Sequence, residues 1–392
     1  MTGVTIEPVR TRGALRAFLA LPARIHADDP AFVQLPADVE RRRVSPRHAP
    51  FFRHGEAQLF LASRGGTPVG RISAQVNRRH LERHRDATGH FGFFDCEDDP
   101  DAARALLGAA EAWLAERGLA RMTGPVSLSL NEEAGCLVEG FGEPPAVAMP
   151  HHRPFTGGLI EAAGLEKAVD LLAFRASAVP EVARVGALGA RAQRTDRVTT
   201  RPLDPRRARA DFHTAFAIAA DAWADNWGFV PFSAAEVDAL ARELSPIMRP
   251  DFLQFLLLDG REVGMMLALP NVNEIVARQR PSGIALLDLL RTYLALKISG
   301  ARSYRVLLMG IVREHQRSRI GGALMAALFR TLIALHDRYR PDWTEMSWIL
   351  ETNRPMVRMA TMIAGEPTKR YRIYSKRIGA RGDTSTALPR HT

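Results

Sequence analysis

Cysteine and lysine are the scarce residues of this 392-residue chain. Only Cys96 and Cys136 are present, too few for a disulfide framework or a cysteine-rich metal site, so both read as reduced thiols and no metal is expected. Long apolar runs are equally lacking. The strongest, Phe252 to Leu258 and Val306 to Val312, fall far short of the roughly 20 residues that cross a bilayer. The first 30 residues carry Glu7, Asp28 and Asp29 among scattered arginines and lack the apolar core of an export signal. A cytoplasmic chain is expected. With 46% hydrophobic and 24% charged residues, disorder and fibrous repeats are excluded.

Positive charge is plentiful. Against 43 acidic residues stand 53 basic ones, of which only Lys167, Lys297, Lys369 and Lys376 are lysine, for a net charge of +10. The excess is concentrated in residues 1–90, 184–209 and 366–392, while the remainder is net acidic. Such basic segments suit a polyanion: a co-substrate's phosphates, an anionic membrane face or nucleic acid. No zinc finger, RNA-binding aromatic motif or recognition helix is present, so nucleic acid ranks last.

The order of elements repeats. In the first half a strand (4–9) and two helices (11–26, 33–43) precede a hairpin, 56–63 and 68–76, turning at Gly65-Gly66. A strand (90–95), a helix (100–117), a strand (121–126), a helix (158–163) and a strand (169–175) follow. The second half replays this with a strand at 198–201, helices at 206–223 and 233–247, and a hairpin, 252–258 and 262–269, turning at Asp259-Gly260. Strand 304–312, helix 320–338, strand 344–350, a helix after Asn353 and strand 369–374 complete the copy. Helix 284–298, with no counterpart in the first half, is apolar on most sides. It is expected to be buried in a core or to wall an acyl-chain cavity.

The most informative motif runs from Arg305-Val306-Leu307-Leu308-Met309-Gly310-Ile311-Val312 into Arg313-Glu314-His315-Gln316-Arg317-Ser318-Arg319-Ile320-Gly321-Gly322-Ala323. An apolar strand enters a basic, glycine-containing turn and an amphipathic helix leaves it. The unpaired N–H groups and dipole of a helix start favour a phosphate. Gly321 and Gly322 would admit a pyrophosphate closely, with charge and donors from Gln316, Arg317 and Arg319. The corresponding place in the first half reads Glu97-Asp98-Asp99-Pro100, an acidic helix start that repels phosphate.

This stretch resembles motif A of the GNAT acyltransferase superfamily, Gln/Arg-x-x-Gly-x-Gly/Ala, which grips the pyrophosphate of acyl-CoA. Here it reads Gln316-x-x-Arg319-x-Gly321, with Arg319 where the family has its first glycine. The resemblance implies contacts to acyl-CoA from Ile311, Val312, Ser318, Ile320, Gly322 and Ala323 as well. Ser347 to Asn353 is similar to the next motif, but the tyrosine that usually protonates the leaving thiolate is replaced by Ala360. The whole chain resembles the bacterial ceramide synthase-like branch through Phe51 to Glu56, Gly70-Arg71-Ile72, Asn77 to His80, Gly92 to Glu97, Asn131 to Gly135 and Ser347 to Asn353. The implied fold is α/β: two GNAT-like domains in tandem, each a mixed sheet flanked by helices, at 1–185 and 196–378, with 379–392 as a flexible tail.

The implied reaction is acyl-CoA-dependent N-acyl transfer to an amine, the favoured acceptor being a long-chain lipid amine such as a sphingoid base. Alternatives are N-acetylation of a small or peptidic amine, or a non-catalytic acyl-CoA-binding or membrane-docking module. Contact with an anionic inner-membrane face is expected from the basic segments. Deprotonating an ammonium requires a base, and Glu132, Glu133 and Glu351 are the candidates. Asn353 is grouped with them, although its position suits a helix cap. His80 and His84, four apart, read as surface histidines, and the adjacent His151 and His152 should point apart. Trp223 to Phe232 reads as an aromatic loop that lines an acceptor pocket or packs in a core.

Overall fold

The computed structural model describes residues 3–177, 197–245, 248–279 and 285–379. The first half contains β1 (Val4–Pro8), α1 (Arg12–Ile25), α2 (Ala37–Arg43), β2 (Gly55–Arg64), β3 (Thr67–Asn77), α3 (Arg78–His84), β4 (Thr88–Cys96) and α4 (Pro100–Ala115). It continues with β5 (Arg121–Gly124), β6 (Cys136–Glu139), α5 (Thr156–Ala162) and β7 (Glu166–Ala176). The second half opens with β8 (Val198–Pro202), α6 (Ala208–Ala222), α7 (Ala234–Leu244), β9 (Leu253–Leu258), β10 (Arg261–Pro270), α8 (Val272–Arg278) and α9 (Ala285–Ile298). It closes with β11 (Ser303–Ile311), α10 (Arg313–Gln316), α11 (Gly321–Tyr339), β12 (Trp343–Leu350), α12 (Arg354–Ala364) and β13 (Lys369–Arg377).

Local chemistry accounts for these boundaries. Asp259 and Gly260 take positive φ of 50° and 79°, the conformation of a tight hairpin turn. The Asp99 side chain accepts the N–H groups of Asp101 and Ala102 and opens α4, with Pro100 at its first position. Ser233 and Glu236 form a reciprocal capping box on α7. Asn77 accepts from the N–H groups of Arg79 and His80, so Asn77-Arg78-Arg79-His80 is a cap followed by the start of a helix. The sequence pattern had left that helix, together with α8 and β6, unassigned.

The described strands join in one sheet in the order β1-β2-β3-β4-β5-β13-β7-β12-β11-β10-β9-β8, with β6 beside β13. The halves therefore exchange their last strands. β13 runs antiparallel to β5, pairing Tyr374 with Gly124 and Arg377 with Arg121, while β7 runs antiparallel to β12, pairing Thr344 with Ala176. The boundary expected between residues 185 and 196, and all but the first residue of the expected tail, lie outside the described residues.

Among the described strands only β4–β5 and β11–β12 pair in parallel, and both pairs splay. β11 and β12 are hydrogen-bonded from Ser303/Trp343 to Val306/Met346, although the strands continue to Ile311 and Leu350. β4 and β5 separate after His90/Thr123, but there the chain fills its own opening. Val126 N–H donates to the Phe91 carbonyl at 2.7 Å, and Gln75 Nε2 donates to the Val126 carbonyl. A Cβ on Gly92 would overlap that same carbonyl oxygen. Gly92→Ala should therefore cost about 1–3 kcal/mol through overpacking, read as a lower Tm, with acyl-CoA affinity unchanged. Weakened affinity at an unchanged Tm would contradict this plug.

Candidate active site

In the second half β11 and β12 stop pairing beyond Val306 and Met346, and the Ser347 carbonyl accepts from the Arg305 guanidinium at 3.1 Å. An extended amide-bearing chain can dock on strand edges as an added strand does. A bulge lies beside them: β10–β11 pairing steps from Leu267/Leu308 to Ala268/Val306, making Leu307 the extra residue and re-aiming the strand. The turn after β11 leads into α11, whose first N–H groups have no intrahelical partner.

The residues of the turn divide by what they touch. Gln316 Nε2 donates to the carbonyls of Ile311 at 2.9 Å and Ala222 at 3.0 Å, so Gln316 shapes the turn and anchors it to α6. Val312 N–H donates to the Val263 carbonyl, and Arg313 N–H donates to Asp221. Ser318 Oγ donates to the His315 carbonyl. Ile311 is core and Ile320 packs against the same cluster. Arg317, Arg319 and Gly322 are exposed, and Ala323 is half-buried. The need for glycine at 321 differs from the expected one: a Cβ there would overlap the His315 carbonyl oxygen, whereas at Gly322 it meets open space. Gly321 thus closes the turn, and Gly322 is where a ligand can approach.

Of the carboxylates, Glu132 has the environment of a base. It is half-buried in the loop between β5 and β6. Burial pushes its pKa up to about 8 against the pull of Arg43, with Glu133, Glu236 and Glu243 adding to the rise. Glu133 is ion-paired with Arg43 at 2.8 Å, and Arg43 also holds Glu40 at 2.8 Å. The Glu351 carboxylate accepts the Asp170 N–H at 3.0 Å and pairs with Lys167 at 2.9 Å, a clamp between β7 and β12. Asn353 caps α12 through Met356 N–H. Ala360 is fully buried, so no thiolate acid stands at that position.

The Glu132 loop lies at the junction of the halves. Asn131 Nδ2 donates to the Val230 carbonyl at 3.1 Å, and Gly228, at φ 64°, packs so tightly that a Cβ would overlap Leu130. His84 Nε2 lies 3.1 Å from the Phe229 carbonyl, so the aromatic loop is the joint between halves. His80 is 4% exposed, its ring tilted against that of His84 and edge-on to that of His90. The surface reading of that histidine is overturned.

Helix α9 is a second correction. Leu287, Leu289, Leu290, Tyr293, Leu294 and Ile298 are 38–81% exposed, and they are six of the eight large exposed apolar side chains among the described residues. Ile284 and the side chain of Leu286 lie outside those residues. The helix neither fills a core nor walls a described cavity.

A cavity of about 810 Å³, counting its open mouth, lies beside β4 and is lined by Glu40, Arg43, Arg71, Asp95, Glu133 and His151 among others. Sequence reasoning passed over Arg43, Asp95 and His151 as functional groups, although Arg71 and Asp95 stand in segments that carry the family resemblance. His151 and His152 do part: His151 Nε2 meets Asp29 at 2.9 Å, while His152 Nδ1 accepts from Leu137 N–H. The donor atoms of His26, Asp29 and His151 lie within 4.8 Å of one another, the described group that could hold a metal ion.

A splayed parallel pair followed by a basic helix start, in a chain that carries the same unit twice, marks the tandem GNAT fold. Solved structures agree. A tandem GNAT protein from the clavulanic acid biosynthesis pathway superposes with a TM-score of 0.56 at 13% identity, covering 96% of this chain and 99% of its own. A GCN5-related N-acetyltransferase from Sphaerobacter thermophilus gives 0.51 at 14%, covering 98% of each. The bacterial ceramide synthase of Caulobacter vibrioides is 39% identical over 388 residues, 96% of this chain and 98% of that protein. Protein YghO of Escherichia coli is 37% identical over 368 residues, 93% of each. The chain belongs to the family of the bacterial ceramide synthase. No family model matches it.

Proposed function

We propose that the second half holds acyl-CoA along β11 and transfers its acyl group to a long-chain lipid amine entering at the junction of the halves. The observation that supports this reading is the β11–β12 splay, which lacks the backbone bridge that Val126 makes to Phe91 in its counterpart. The pyrophosphate sits at the start of α11 beside Arg317, Arg319 and Gly322. Backbone N–H groups beside the bulge polarise the thioester carbonyl. Glu132 takes the proton of the ammonium, and the neutral amine attacks. The relative named ceramide synthase supports a sphingoid base as acceptor.

Thiol release from palmitoyl-CoA that depends on an added sphingoid base is the expected result. Release with short or peptidic amines only would replace the lipid acceptor, and binding without release would reduce the protein to an acyl-CoA carrier. Gly322→Asp tests the phosphate site without disturbing the turn. A carboxylate at the helix start should weaken acyl-CoA binding tenfold or more, roughly one charge-assisted contact, with Tm unchanged. Undiminished calorimetric affinity would remove the assignment.

Helix α9 completes the proposal. Leu287, Leu290, Leu294 and Ile298 recur on one face, with Arg291 and Lys297 on its two flanks. An exposed apolar stripe edged by basic residues suits an anionic lipid surface.

A further inference from the structure

Two residues that line the cavity beside β4 each carry a buried acceptor without a donor. His151, 8% exposed, directs Nε2 at Asp29 Oδ2. A carboxylate cannot donate, so Nε2 carries the proton and Nδ1 keeps its lone pair, buried and without a partner. Gln34, which also lines the cavity, donates Nε2 to the Leu35 carbonyl at 3.0 Å and leaves Oε1 buried and unpaired. Burying an acceptor without a donor is costly and calls for an occupant.

The remaining lining narrows the choice. Glu40, Asp95 and Glu133 face Arg43 and Arg71, an excess of carboxylate that suits a cation over an anion. Leu35, Phe93 and Met149 supply apolar wall beside these groups. Asn273, from α8 of the other half, borders the same space and donates to the carbonyls of Pro145 and Ala146.

We infer that this cavity receives the polar head of the acceptor, an amino alcohol whose N–H and O–H donors satisfy His151 Nδ1 and Gln34 Oε1. The inference rests on the reading of the protein as an N-acyltransferase of lipid amines. His151 and Gln34 are then binding residues of the acceptor, with no part in holding acyl-CoA.

The test uses the full chain and a soluble short-chain 2-amino-1,3-diol. His151→Gln keeps an amide donor for Asp29 while removing the Nδ1 acceptor, and Gln34→Met removes Oε1 at similar volume. In each variant calorimetric affinity for the diol should fall roughly tenfold and the acceptor KM should rise by the same factor, about one hydrogen bond. The KM for acyl-CoA should stay unchanged. Wild-type protein that fails to bind the diol, or two folded variants that bind it as well as wild type, would leave the cavity holding water only and overturn the inference. Diol binding that is lost in the variants while no acyl-CoA is turned over would uphold this site and sink the acyltransfer reading instead.

Discussion

Glu132→Gln should lower kcat roughly a hundred- to ten-thousand-fold, the contribution of a positioned general base, and leave the KM for acyl-CoA unchanged. The pH profile gives the sharper measurement. Because burial lifts the Glu132 pKa to about 8, the carboxyl is protonated and idle at neutral pH, and turnover should climb with pH until it levels above that value. The variant should lose this limb. The linked effect on stability runs the other way. A carboxyl whose folded pKa is raised holds its proton more tightly in the native state, so its contribution is complete below its ordinary 4.5 and is lost as pH rises through 8. Tm should fall across that window in wild type and fall less in Glu132→Gln. A fully active Glu132→Gln enzyme would remove the base. Glu133→Gln should behave differently, because it breaks the ion pair with Arg43 and should lower Tm first.

Replacing Leu290 and Leu294 together by aspartate should abolish sedimentation with anionic vesicles. Burying a leucine in an apolar phase is worth about 2 kcal/mol, so two such losses weaken partitioning roughly a thousandfold. Binding of wild type should weaken with salt, through the Arg291 and Lys297 flanks. Turnover of soluble short-chain substrates should be retained by the variant, because α9 lies outside the proposed chemistry. Wild-type protein that ignores anionic vesicles at low salt, or a variant that still sediments, would leave the helix without a membrane role. Self-association through the same leucines would instead show as a dimer that the double substitution dissociates.

What the sequence disclosed follows from what is local. Turn dipeptides such as Asp259-Gly260, the cap-and-proline start of α4, and the strand–turn–helix at 304–338 are each read within one local stretch of chain, and all stand where expected. The exchange of β7 and β13 was not legible, because alternation along a strand says which face is buried and nothing about which neighbour it joins. Glu132 was visible as a type of residue. Its raised pKa comes from burial and from the nearby Glu133, Glu236 and Glu243, against the pull of Arg43, all brought together only by the fold. The cavity beside β4 is likewise assembled from segments more than 200 residues apart, from Pro22 to Asn273. Helix α9 departs from its expectation for a different reason: an apolar sequence says that a face is suited to burial and nothing about whether the rest of the chain covers it.

The exchanged strands make the order of synthesis matter. When the ribosome has completed the first half, β5 still lacks its neighbour β13, whose last residues are made some 200 positions later, and β7 presents edges for strands that do not yet exist. Unpaired edges of this kind invite pairing with other chains. The nascent first half is therefore a species to be shielded, and a fragment ending near residue 180 is incomplete by construction. A cut in the segment between the halves, by contrast, severs the backbone without separating the pieces, since each is pinned by a strand belonging to the other.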